Sequence, residues 1–89
     1  MENEEKAIKK PVIDIFKITE LCVYGKDILR IRYSNGFSRR KVCVSMEKHG
    51  YVYYPVKLLR YERQVKVCLS ASEMRCLITA IGAVFNVIS

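Results

Sequence analysis

The stretch KVCLSASEMRCL, residues 66–77, constrains the fold more than any other part of the chain. An alternating run, with Val65, Val67 and Leu69 inward and Lys66 and Cys68 outward, reads as a strand that meets an explicit helix start. Ser70 is a good N-cap and Glu73, three positions on, completes a capping box, while Leu69 and Met74 take the hydrophobic-staple positions. Beyond that boundary Met74, Leu77, Ile78, Ile81, Phe85 and Ile88 recur at helical spacing as a core face. A second stripe, Cys76, Ala80, Ala83, Val84 and Val87, leaves the helix almost without a polar face. Either a symmetric helix-to-helix dimer covers that stripe or the N-terminal strand folds over it.

The rest of the chain, 89 residues in all, allows one domain with one modest core. Residues 1–10 read as a charged, mobile tail and residues 11–89 as the folded unit. From Val12 the pattern is that of strands: VIDIF and KITELCVY, with a bulge near Glu20, then a turn at Gly25. DILRIRY alternates, with Leu29, Ile31 and Tyr33 on the core side and Arg30 and Arg32 outside. SNG, residues 34–36, is a hairpin signal, and FSRRKVCVSM follows as a strand with Val42, Val44 and Met46 on one face. EKHG is a further turn, and YVYYPVKLLRY is strand-like with Pro55 marking an edge or bend. The expected fold is α+β, a curved antiparallel sheet of four to five strands followed by one C-terminal helix.

Charge is concentrated rather than spread. Residues 26–66 hold eleven Lys/Arg against three acids, a net +8, whereas residues 1–25 carry −1 and residues 67–89 are neutral. That is the electrostatic footprint of a polyanion binder. Arg30 and Arg32 sit about 7 Å apart if two residues of one strand face share a side. Arg39, Arg40 and Lys41 crowd the next strand, and Lys57, Arg60, Arg63 and Lys66 form a second group. Tyrosines interleave with them, and alternation makes Tyr51 and Tyr53 the exposed pair. Exposed rings flanked by cations on a sheet suit single-stranded nucleic acid, because bases stack while phosphates pair.

Other classes fare worse. A single histidine, His49, precedes a glycine in a turn, the acids Asp14, Glu20, Asp27, Glu47 and Glu62 are scattered, and no Gly-rich phosphate loop exists. No enzyme, cofactor or metal is expected. The four cysteines, 22, 43, 68 and 76, lack the sequence spacing of a zinc site and read as small buried hydrophobes in a reducing compartment. MENEEKAIKK does not resemble a secretory signal, and the apolar run from Met74 to Ile88 is too short to span a bilayer, so an intracellular protein with no membrane partner is expected. A duplex-reading helix is disfavoured, since the one expected helix carries a single cation, Arg75.

VCLSASEMRCL resembles the final strand, Ser/Asn-x-x-Glu/Gln cap and helix of the single-stranded-DNA-binding transcriptional coactivators of the positive-cofactor-four type. DILRIRYSNG is similar to that family's central strand with its Ile-Arg pair before a turn, and RRKVCVS resembles its basic strand entry. Residues 47–64 exceed the family's pattern and hold an additional strand candidate. The resemblance implies a dimer through the helices whose curved sheet grips unpaired DNA, with Arg30, Arg32, Arg39, Arg40 and Lys41 at matching basic positions. It further implies a nuclear accessory role in transcription or replication. The competing expectation is a protein-interaction module that sets its apolar helix or basic face on an acidic partner.

Overall fold

The computed structural model describes residues 19–83. The elements are β1 (Glu20–Tyr24), α1 (Gly25–Ser34), α2 (Arg39–Glu47), α3 (Pro55–Arg63), β2 (Lys66–Ser70) and α4 (Ala71–Ala80). β1 and β2 pair antiparallel, with Leu21 opposite Leu69, Cys22 opposite Cys68 and Val23 opposite Val67. Three helices are thus carried between two paired strands, and α4 follows β2 without a loop. The inner face of the ribbon and the four helices enclose Ile28, Val42, Met46, Leu58, Val67, Met74 and Leu77. Each such side chain taken out of water contributes about 1.5–3 kcal/mol.

The junction of β2 and α4 is as the sequence indicates. Ser70 caps α4, its Oγ accepting the Glu73 N–H at 3.2 Å. The Glu73 carboxylate does not reach back to close the box, because it accepts the hydroxyl of Tyr53 instead. Met74, Leu77 and Ile81 are buried and Ile78 packs against them. Phe85 and Ile88 lie outside the described residues, as do residues 1–10 and the expected strand before Thr19.

The expected sheet of four to five strands with a single helix is not what forms: the described residues hold four helices and a two-stranded ribbon. DILRIRYS satisfies two periods at once. Its alternation is genuine, but Gly25, Ile28, Ile31 and Arg32 also fall at helical spacing, and that is the face α1 turns inward. Tyr33, expected in the core, is 78% exposed, and Leu29 also faces solvent. In FSRRKVCVSM the Ser38 Oγ accepts the Lys41 N–H, so Ser38 is an N-cap, and Val42, Cys43 and Met46 are buried while Val44 faces out. In YVYYPVKLLRY Pro55 occupies the first turn of α3, where a missing N–H costs nothing, rather than a strand edge. Val65, expected inward, is outside β2 and exposed.

The supposed hairpin turns are helix ends. After α1, the Phe37 N–H bonds to Arg32 O and the Gly36 N–H to Tyr33 O, which is the Schellman arrangement, with Gly36 at φ 71°. The same pair of bonds closes α2 at Gly50. Gly25, read as a strand turn, is instead the first residue of α1, held against the end of α3 by a bond from its N–H to Val65 O. A Cβ there would stand 2.1 Å from Gln64 O, so only glycine allows the contact.

Two further expectations change. Cys22 and Cys68 are not buried hydrophobes: they lie exposed on the outer ribbon face and are joined as a disulfide, 46 residues apart. Closing a loop of that size limits the unfolded chain by about 4 kcal/mol in the chain-entropy account. Cys43 is buried as expected, and burial pushes its thiol up. The stripe assigned to a dimer is used within the chain: Ala80 is buried, and Cys76 and Ala83 pack half-buried against the same core. Val84 and Val87 lie outside the described residues.

Candidate nucleic-acid interface

α1 and α2 are joined by the four residues 35–38, with Gly36 ending α1. Three sets of contacts fix the unit. The Asn35 side chain donates to Ile81 O at 2.9 Å, tying the turn to the end of α4. Arg32 near the end of α1 donates from Nε to Glu62 Oε2 at 2.8 Å and from Nη1 to Phe37 O at 2.7 Å. Arg39, the first residue of α2, donates from Nε and Nη2 to Glu62 Oε1 at 3.1 and 2.8 Å. One buried carboxylate on α3 therefore clamps both helices, and its side chain is only 1% exposed. A buried charge is tolerated when its lone pairs are filled this way.

That clamp removes two of the expected contact residues from the surface set. Arg32 is buried and Arg39, its side chain 35% exposed, is held by Glu62. Tyr53, expected outside, is buried: its ring stacks edge-on with Tyr61 at 5.9 Å and its hydroxyl donates to Glu73. Burial first, and the Glu73 bond second, push its phenol far above the ordinary value. Tyr51 packs half-buried against the core. Lys57 lies over the Tyr53 ring at 4.3 Å and donates to Val52 O at 3.0 Å. An aromatic platform on a sheet is thus absent among the described residues, and Tyr24 is the one exposed ring on the ribbon.

Arg30, Arg40, Lys41, Arg60, Arg63 and Lys66 are exposed as expected. Arg30 makes a surface pair with Asp27 at 3.3 Å, of a kind worth about 0.3–0.5 kcal/mol. Arg63 borders a separate hollow with Tyr24, Lys26 and Val65. Arg40 and Lys41 on α2 and Lys48 at its C-cap surround a shallow recess with Ser38, Val44 and Ser45. Lys41 also sits 4.0 Å above the ring of Phe37 in the turn. Glu47, the acid of α2, is not among the residues that line this recess.

No family model, curated protein or solved structure matches this chain. The site is therefore described by its own geometry.

α2 has no acid in its first turn and begins Arg39-Arg40-Lys41. Stability alone favours acids at a helix start, because the dipole end there is positive. With Arg39 held on Glu62, a carboxylate it shares with Arg32, Arg40 and Lys41 add their charge to that end, and no acidic side chain pairs with them among the described residues. Cations at a helix N-terminus are chemically suited to phosphate oxygens. Sequence reasoning missed Lys48, Ser38 and Val44 because a strand reading scatters them. The signal that finds them is the i, i+4, i+8 series Arg40, Val44, Lys48 behind a serine cap.

Proposed function

We propose that this chain binds nucleic acid through α2, presented by the helix–turn–helix unit α1–α2 to a duplex. The observation that carries the reading is the cationic outer face of α2, Arg40, Lys41 and Lys48, on a helix whose entry is locked by Glu62. In helix–turn–helix proteins the second helix enters the major groove and its N-terminal residues meet base edges. Here Arg40 and Lys41 occupy that end, with Val44 and Ser45 on the following turn. Arg40 suits a guanine edge or a phosphate, Lys48 a phosphate, and Val44, 49% exposed, a thymine methyl. Single-strand gripping by a basic sheet is not carried forward, since the arginines assigned to a sheet lie on helices. A role in transcription or replication, and with it a nuclear location, belongs to this proposal.

The test is fluorescence anisotropy of labelled duplex DNA, single-stranded DNA and single-stranded RNA across a salt series. Duplex binding is expected, with a log–log salt slope of about −3 if three cations meet phosphates. Arg40→Glu with Lys41→Glu is expected to abolish it, while Arg30→Glu, on α1, leaves most of it. Preference for single strands, or unchanged binding by the double variant, refutes the α2 assignment.

A second reading rests on one observation. Val52, Tyr54 and Val56, between α2 and the first turn of α3, are all at least half exposed beside Lys57. An apolar strip with a cation beside it also fits an acidic protein partner. Absence of binding to all three nucleic acids favours it.

A further inference from the structure

We infer that Cys22, Cys68 and Glu20, on the outer face of the β1–β2 ribbon, form a site for a thiophilic divalent cation of the zinc type, available when the disulfide is reduced. The argument starts from the register. Cys22 and Cys68 are directly opposite one another, and Glu20 lies two residues before Cys22 on the same face. In the oxidised chain the two Sγ atoms are bonded to each other and a Glu20 carboxylate oxygen lies within 4.8 Å of both; reduction need only let the sulfurs part to the spacing of two thiolates on one tetrahedral ion, about 3.8 Å. It is the one such group of three ligands among the described residues. All three are exposed, while the opposite face carries Leu21, Val23, Val67 and Leu69 into the core. The ribbon is thus a rigid base, and the open side leaves a fourth position for water.

Ligand chemistry selects the ion. Two thiolates and one carboxylate suit Zn2+ and its spectroscopic substitute Co2+, and disfavour Mg2+ or Ca2+, which take oxygen ligands alone. Sequence spacing hid the site because its cysteines meet only across the strand pair.

The disulfide and the cation exclude each other. A thiol reductant delivers two electrons and two protons to the Cys22–Cys68 bond and leaves as its own disulfide. Binding of the cation then displaces both protons to solvent. In reverse, a low-molecular-weight disulfide accepts two electrons from the thiolates, the Sγ–Sγ bond forms, the cation leaves, and the oxidant departs as two thiolates.

The full chain, reduced with a phosphine, is titrated with Co2+ and followed by the near-ultraviolet thiolate-to-cobalt charge-transfer band. One Co2+ per chain, displaced by Zn2+, is expected for the reduced protein and none for the oxidised one. Because Cys22→Ser also removes the disulfide from the oxidised reference, the assignment is read from two variants that keep both ribbon cysteines. Cys43→Ser with Cys76→Ser is expected to keep the band. Glu20→Gln is expected to weaken Co2+ binding at least about tenfold, the loss that even partners outside the first coordination shell cause, with the circular dichroism of both variants unchanged. No band in the reduced chain, equal binding by the oxidised chain, loss of the band in the Cys43/Cys76 variant, or unaltered affinity in Glu20→Gln each overturns the proposal.

Discussion

Replacing Glu62 by glutamine tests the clamp that orients α1 and α2. The carboxylate accepts three hydrogen bonds from two arginines, at 2.8, 2.8 and 3.1 Å, and its side chain is 1% exposed. Glutamine keeps the shape, removes the charge and turns an acceptor into a donor that faces guanidinium groups. Arg32, 8% exposed in its side chain, is then left as an uncompensated buried cation. Removing one partner of a buried pair costs about 3–5 kcal/mol. Against a total stability of about 5–15 kcal/mol for a domain of this class, that is a large fraction. Urea unfolding followed by circular dichroism reads it as a fall in midpoint at constant slope. Asp27→Asn, which breaks the exposed Arg30 pair, serves as the control and is expected to cost less than about 1 kcal/mol. Replacing Arg32, Arg39 and Glu62 together with apolar residues is expected to recover most of the loss, because no charge remains buried. A Glu62→Gln midpoint within about 1 kcal/mol of the parent refutes the argument that this carboxylate neutralises the α1–α2 junction.

Two other outcomes follow from particular contacts. Gly25→Ala places a methyl 2.1 Å from Gln64 O and 2.3 Å from Tyr61 O, so α1 and α3 must separate; a loss of about 1–3 kcal/mol is expected in thermal melts, and a neutral result refutes the close approach. Burial, with the bond to Glu73, raises the phenol of Tyr53 above its ordinary value of 10.0. Its contribution to stability is therefore complete below about pH 10 and declines as pH rises further, because only the unfolded chain ionises there. Ultraviolet titration is expected to show that Tyr53 resists ionisation until the chain unfolds. In Tyr53→Phe the alkaline loss of stability is expected to shrink, and an alkaline profile identical to the parent's counts against the buried phenol.

The part of the fold legible in the sequence is the part held by local interactions. Ser70, Glu73, Leu69 and Met74 lie within one turn of each other and fix where β2 ends and α4 begins, whatever the remainder does. The positive middle of the chain was equally legible, since charge is a matter of composition. The site was not. In DILRIRYS a strand turns Arg32 outward beside Arg30, whereas a helix places it one turn after Ile28 and aims it at Glu62, thirty residues away. Gly36 serves a hairpin or a helix end equally, because both need positive φ. Pro55 likewise fits a strand edge or a first helical turn, and Ser38 declares itself a cap only once α2 exists.

The sequence by itself determined the β2–α4 junction and the net positive charge of residues 26–66, since each is written in neighbours along the chain. Only the tertiary structure decided between period two and period 3.6 in three short segments, because each segment satisfies both and burial selects the face. It also decided which arginines are held by Glu62 and which stay exposed, and it brought Cys22 against Cys68 across the ribbon. Those outcomes depend on contacts tens of residues apart, whose free energy no local pattern carries.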